Sequence, residues 1–248
     1  MKFYRLFLTL SVAVFSFISC GNNNDDDIDN GGGTTTEANE NRNVFTVGKP
    51  AEVTRLEFPK LQGGTSEVIV HSTSDFGMTY ALEWDHAKKS QRWSCYEVTS
   101  ANNKKDWNRR NWNKTTWGGD PFQKDPKIPA NEQPPVKGEF SGSHYPGYSN
   151  SYYDRGHICA SEDRIYSKDA NEQTFYMSNM QPQVHVFNAG IWQKMEACIQ
   201  SNAYRGEVVY VCKGGTIDKD SQILTHTRSG FIVPRYFFMA VLMKDEKG

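Results

Sequence analysis

The chain lacks the cysteine spacing of a zinc site: its five cysteines form no Cys-x-x-Cys pair and no Cys/His ladder, which argues against a structural zinc cluster. It also lacks an internal repeat, so a solenoid or propeller built from repeats is excluded. Charge of one sign is missing too. The 28 basic residues stand against 29 acidic ones, a formal net charge of −1, without the dense basic face of a strong nonspecific nucleic-acid binder. At the N-terminus, the apolar run from Leu6 to Ile18 falls short of the roughly 20 residues that a spanning helix requires. Preceded by Lys2 and Arg5, it reads as a secretory signal.

That run ends in Phe17-Ile18-Ser19-Cys20-Gly21, which resembles the lipobox of bacterial lipoproteins and implies lipidation at Cys20. The segment after Cys20 is rich in Asn, Asp, Gly and Thr and has no apolar periodicity, so it buries too little surface to offset the entropy of ordering it. Its acidic stretch resembles the export signal of surface lipoproteins in the Bacteroides group, with a plain solvated spacer as the alternative. The expected organisation is therefore a signal over 1–20, a disordered polar tether over 21–43 and one domain over 44–248. The chain stops just after an apolar segment, Tyr236 to Met243, that reads as a strand without a returning partner, as in a C-terminally truncated domain. The implied location is an outer-membrane lipoprotein, on the cell surface or the periplasmic face, touching the membrane through its N-terminal lipid alone.

Setting the first 40 residues aside changes the charge balance. Residues 41–248 hold 26 basic and 23 acidic residues, a net of +3, which permits a polyanionic substrate without demanding one. Four cysteines remain, Cys95, Cys159, Cys198 and Cys212. An even number in an exported domain suits two disulfides, with three pairings open.

Within the domain, Glu67 to His71, Met78 to Trp84 and Trp93 to Val98 read as strands, the last two joined by a charged turn from Asp85 to Gln91. Val208 to Cys212 and Tyr236 to Met243 read as two more. Residues 100–150 are poor in aliphatics and rich in Asn, Lys, Gly, Pro and aromatics, a long irregular region of the kind that carries function. Pro182 reads as a break. From Asn188 to Asn202 the apolar residues Ile191, Trp192, Met195 and Ile199 recur every three to four positions, predicting one helix. The predicted class is α+β, with a central antiparallel sheet and flanking helices.

Chemistry concentrates in Asp154-Arg155-Gly156-His157 and in the helix after it. An imidazole with a reference pKa of about 6.5 can accept a proton from water at neutral pH. Arg155, two residues before His157, would point to the same side of a strand and offer a fork of donors to a phosphate. Gly156 would let a substrate backbone approach or the strand bend. Asn188, Trp192 and Glu196 are spaced i, i+4 and i+8, on one helix face. Trp192 is most simply core, and Asn188 reads either as an N-cap or as a metal ligand. One amide oxygen, with a carboxylate ordering water behind it, suits Mg²⁺, which gives up its hydration reluctantly.

Tyr153 to His157, Thr174 to Gln183 and Asn188 to Glu196, with Asp125-Pro126 upstream, together resemble the DNA/RNA non-specific endonuclease family of ββα-metal nucleases, of the Serratia nuclease and endonuclease G type. The resemblance covers roughly residues 75–243. It implies a ββα-metal finger over 150–202 and metal-dependent, sugar-nonspecific hydrolysis of DNA and RNA. His157 would be the general base, Asn188 the direct ligand of Mg²⁺ (or Mn²⁺), and Glu196 the holder of that ion's water. Arg155 and Asn179 would contact substrate or support the site, with Arg110 or Arg109 as an upstream phosphate clamp and Asp154 fixing the loop and the histidine. The rival reading is a surface lipoprotein that binds nucleic acid or glycan through its aromatic-rich loop without catalysis. Oligomeric state is open.

Overall fold

The computed structural model describes residues 41, 43–102, 104–107, 121–136, 153–203 and 208–244. Cys20, Arg109 and Arg110, Trp112, Trp117, His144, Tyr145 and Tyr148 lie outside the described residues, as do nearly all of the segment read as signal and tether. Asn41 and Asn43 are described, and they are anchored. Asn41 Nδ2 donates to the Val53 carbonyl at 2.7 Å and Asn43 Nδ2 to that of Pro59 at 2.8 Å. The ordered body thus takes in the last residues assigned to the tether.

The first three strands are β1 (Ser66–Thr73), β2 (Gly77–Asp85) and β3 (Ser90–Val98). They contain the three strands predicted, and the turn between β2 and β3 is shorter than expected, with Lys89 at φ 51°. Later come β4 (Tyr153–His157), the short helix α1 (Lys168–Gln173), capped by Ser167 accepting from the Ala170 amide at 3.1 Å, and β5 (Met180–Val184). The one-turn helix α2 (His185–Phe187) leads into α3 (Gln193–Ala203). The described chain ends with β6 (Val208–Gly215), β7 (Ile223–His226), β8 (Ile232–Pro234) and β9 (Phe237–Lys244).

Five strands form one antiparallel sheet in the order β1-β2-β3-β6-β9, while β4 pairs with β5 and β7 with β8 as separate ribbons. The expected α+β class with a central antiparallel sheet is therefore what the chain adopts. Both faces of the sheet are covered. Tyr80, Leu82, Trp84, Tyr96, Val98 and Val211 pack with Ile199 and Ala203 of α3 on one side, and Ala81, Trp93, Cys95 and Cys212 pack with Val53 and Phe58 on the other. This explains why β2 reads as a nearly unbroken buried run instead of an alternation.

Part of the irregular region is fastened to this body. Asp125, 1 % exposed, accepts from Ser178 Oγ at 2.5 Å and lies 3.0 Å from His71 Nε2 of β1. His86 bridges Glu132 at 2.6 Å and Glu67 at 3.1 Å. Lys127 Nζ and Gln173 Nε2 reach the β1 carbonyls of Val70 and Ser72 at 2.5 and 2.8 Å, which covers that edge of the sheet.

Two local expectations are corrected. Pro182 lies inside β5, opposite Arg155; a two-stranded ribbon has outer edges, on which a missing N–H breaks no ladder bond. The helix predicted from Asn188 to Asn202 is interrupted. Asn188–Trp192 forms a π-turn, with Gly190 at φ −105° and ψ −107°, and the regular helix starts only at Gln193. Apolar period alone misses this break, because Ile191 and Trp192 keep the pattern across it.

Candidate active site

The short ribbon β4–β5 and the broken helix α2–α3 bring the two predicted segments together. Trp192, 2 % exposed, is the hinge between them. It is core, as expected, and its indole Nε1 donates to the His157 carbonyl at 3.2 Å. The loop after His157 is held by Asn179, which is fully buried. Asn179 Nδ2 donates to the carbonyls of Cys159 at 2.9 Å and Thr174 at 2.8 Å, and its Oδ1 accepts from the Cys159 amide at 2.8 Å. Asn179 is walled off from solvent and its amide is engaged by the loop, a placement that suits the supporting one of its two expected roles.

The pleat of β4 sorts the four motif residues. Arg155 and the His157 ring share the Phe122 side. The Arg155 guanidinium stacks 3.5 Å from the Phe122 ring centroid and donates to the Val136 carbonyl at 3.3 Å. The half-buried His157 ring packs against both Phe122 and Phe175, with centroids 5.7 and 5.2 Å away, and those two rings touch each other with centroids 5.1 Å apart. The two side chains expected to serve as base and phosphate clamp thus lie on one side of β4, as expected for residues two apart on a strand.

Gly156 is needed here for a different reason from the one expected. The Gln183 side chain packs on it, and any Cβ at Gly156 would fall on that side chain's amide. Gln183 is 1 % exposed, and among the described residues neither of its amide atoms has a hydrogen-bond partner.

Asp154 takes the other side of the strand, and its role is corrected. Its Oδ2 accepts from Asn188 Nδ2 at 2.9 Å and lies 2.9 Å from Nδ1 of the exposed His185. It therefore fixes Asn188 rather than His157. An ionised carboxylate only accepts, so the NH₂ half of the Asn188 amide must be the half facing Asp154, which turns Oδ1 away from it. Asn188 is not an N-cap, since the chain is already helical through α2 and Asn188 itself sits at φ −59° and ψ −54°.

Glu196 is half-buried on α3 and accepts on Oε1 from Lys213 Nζ at 2.7 Å. Burial pushes its carboxyl above the usual range, while the Lys213 ammonium and the Trp192 indole act against that rise. Lys213 comes from β6, is fully buried, and lies 5.3 Å from the Trp192 ring and 5.6 Å from the Tyr96 ring. Sequence reasoning missed it. The signal was a lysine inside the apolar run Val208-Val209-Tyr210-Val211-Cys212-Lys213, where an unpaired charge would be costly.

The donor set fits a hydrated hard cation. Asn188 Oδ1 is free of the bond that holds its own amide, and Glu196 keeps a second oxygen beyond the one engaged by Lys213. Among the described residues, no three of His, Cys, Asp and Glu gather to enclose a metal.

The expected disulfides are corrected: Cys95, Cys159, Cys198 and Cys212 are free thiols. Cys198 is exposed while the other three are buried, so it faces away from them. Cys95 and Cys212 face each other across β3 and β6. Burial pushes the Cys159 thiol up to about 12, which removes it as a nucleophile at neutral pH.

The chain is similar to known proteins in sequence and in fold. Residues 65–248 match the family model of the DNA/RNA non-specific endonucleases. Nuclease C1 of Cunninghamella echinulata is 30 % identical over 130 residues, 49 % of this chain and 48 % of that one. A nuclease of Nostoc is 26 % identical over 171 residues, 68 % of this chain and 54 % of the relative. The chain thus spans about half the length of these two curated relatives. A crystal structure of an EndoG/EndoGI complex aligns with a TM-score of 0.52 at 23 % identity, covering 72 % of this chain and 69 % of that one, which shows a shared fold.

Proposed function

The chain belongs to the DNA/RNA non-specific endonuclease family, and from that premise we propose that it hydrolyses phosphodiester bonds of DNA and RNA at the junction of β4 with the α2–α3 helix. The observation that carries this reading is the Asp154–Asn188 bond, which ties the Asn188 amide to the strand that carries the proposed base and leaves its oxygen turned from Asp154. His157 removes a proton from the attacking water, its ring kept in place by Phe122 and Phe175. Arg155 clamps a phosphate oxygen through its fork of donors. Asn188 Oδ1 and the outer oxygen of Glu196 would hold Mg²⁺ or Mn²⁺, directly and through water respectively. The ion, when bound, supplies positive charge to the phosphorane and the leaving 3′-oxygen.

Export as a lipoprotein through Cys20, with the domain facing the surface or the periplasm, is part of the same proposal. Its support is the N-terminal sequence alone, and metabolic labelling with a palmitate analogue in wild type and Cys20→Ala tests it. The nuclease reading is tested by incubating the purified full-length protein with plasmid and with RNA, in Mg²⁺ or in EDTA. Both polymers are cut only with metal; intact polymers in Mg²⁺ would overturn the reading and favour a binding protein.

A further inference from the structure

Lys213 is a fully buried ammonium whose salt bridge, among the described residues, is to the Glu196 carboxylate at 2.7 Å. Its remaining surroundings are aromatic: Tyr96 at 5.6 Å and Trp192 at 5.3 Å. Removing an ammonium from water is expensive unless a partner and good geometry offset it. Glu196 is itself mostly buried, its side chain 16 % exposed, so each charge needs the other. The pair also fixes where the Glu196 carboxylate stands, with Oε1 on Lys213.

Carboxylates are strong ligands for hard cations, and each added carboxylate tightens such a site. A bare Glu196 beside an ion held by Asn188 would be drawn in to replace water. With Oε1 engaged and its charge neutralised, that pull is weakened. We propose that Lys213 is a positioning residue that keeps Glu196 out of direct ligation, so that the carboxylate orders the hydration shell of the ion while Asn188 remains its sole protein ligand. The inference rests on the metal site proposed at Asn188 and Glu196.

The test uses Mn²⁺ as probe on the full-length protein. Its affinity is measured by electron paramagnetic resonance titration, and the number of waters it keeps by proton relaxation. Lys213→Met is expected to tighten Mn²⁺ about tenfold, to remove at least one water from the ion, and to slow cleavage by tenfold or more, in line with other outer-shell contacts. Lys213→Arg should restore wild-type values. On a Glu196→Gln background, Lys213→Met should neither tighten Mn²⁺ nor change hydration. A merely structural lysine would lower affinity and rate together, and Mn²⁺ bound no more tightly in Lys213→Met than in wild type would overturn the proposal. So would tightening that persists in Glu196→Gln. Thermal melts establish folding, and Lys213→Gln carries the same comparison if the methionine variant does not fold. Failure of the site reading itself looks different: Asn188→Ala would then bind Mn²⁺ as well as wild type.

Discussion

The two halves of the site are held by different physics. On the β4 side, the His157 ring is set by packing against Phe122 and Phe175, and the Arg155 guanidinium stands over the Phe122 ring. On the helix side, charge does the holding: Asp154 fixes Asn188 and Lys213 fixes Glu196. Under the proposed function, the difference follows from what each half would have to do. A base must meet water while keeping a neutral ring in one orientation, which a close-packed wall provides. Ligands for a hydrated cation must present particular oxygens, which a charged partner selects through the amide or carboxylate atom that it engages.

The comparison is broken most severely at the wall. Phe175 is fully buried, and Phe175→Ala should lower stability by about 3–5 kcal/mol, measured by urea unfolding. It should also slow cleavage while leaving the Mn²⁺ needed for half-maximal rate unchanged. The opposite split is expected for Asp154→Asn, whose amide no longer selects the NH₂ half of Asn188. Its metal requirement should rise about 10- to 100-fold with little change in the unfolding midpoint. Equal metal requirements in Asp154→Asn and wild type would remove the distinction between the two halves.

The two halves also differ in how far the sequence reveals them. The five strands of the central sheet, the side shared by Arg155 and His157, and Trp192 as core were legible because strand and helix periods express them directly, whereas β5, β7 and β8 were not read as strands. The partners were not. Asp154 meets Asn188 and Lys213 meets Glu196 across separate elements, and periodicity along one segment carries no information about its neighbour. The π-turn at Gly190 escaped for a related reason: the apolar spacing survives it while the backbone does not.

A smaller effect is expected away from the site, where His86 lies between Glu132 and Glu67. Burial works against its charge, but the hydrogen bond and charge of Glu132, then those of Glu67, outweigh it and raise its pKa above the usual value. A raised histidine stabilises the fold fully below its unfolded pKa of about 6.5, and that contribution fades as pH climbs through the folded value. His86→Gln should therefore lower the melting temperature more at pH 6 than at pH 8.5, by an amount of about 1 kcal/mol or less for a pair this exposed. An equal shift at both pH values would show that charge plays no part there.

The most direct test of the central claim, that both halves act on one phosphodiester, is the cleavage rate of plasmid in Mg²⁺ for His157→Ala, Asn188→Ala and the double variant. Each single change should cost at least a hundredfold, within the range for a lost general base, and the double should be little slower than the worse single, as for groups that act as a unit. A His157→Ala enzyme as fast as wild type, or single losses that multiply in the double, would contradict it.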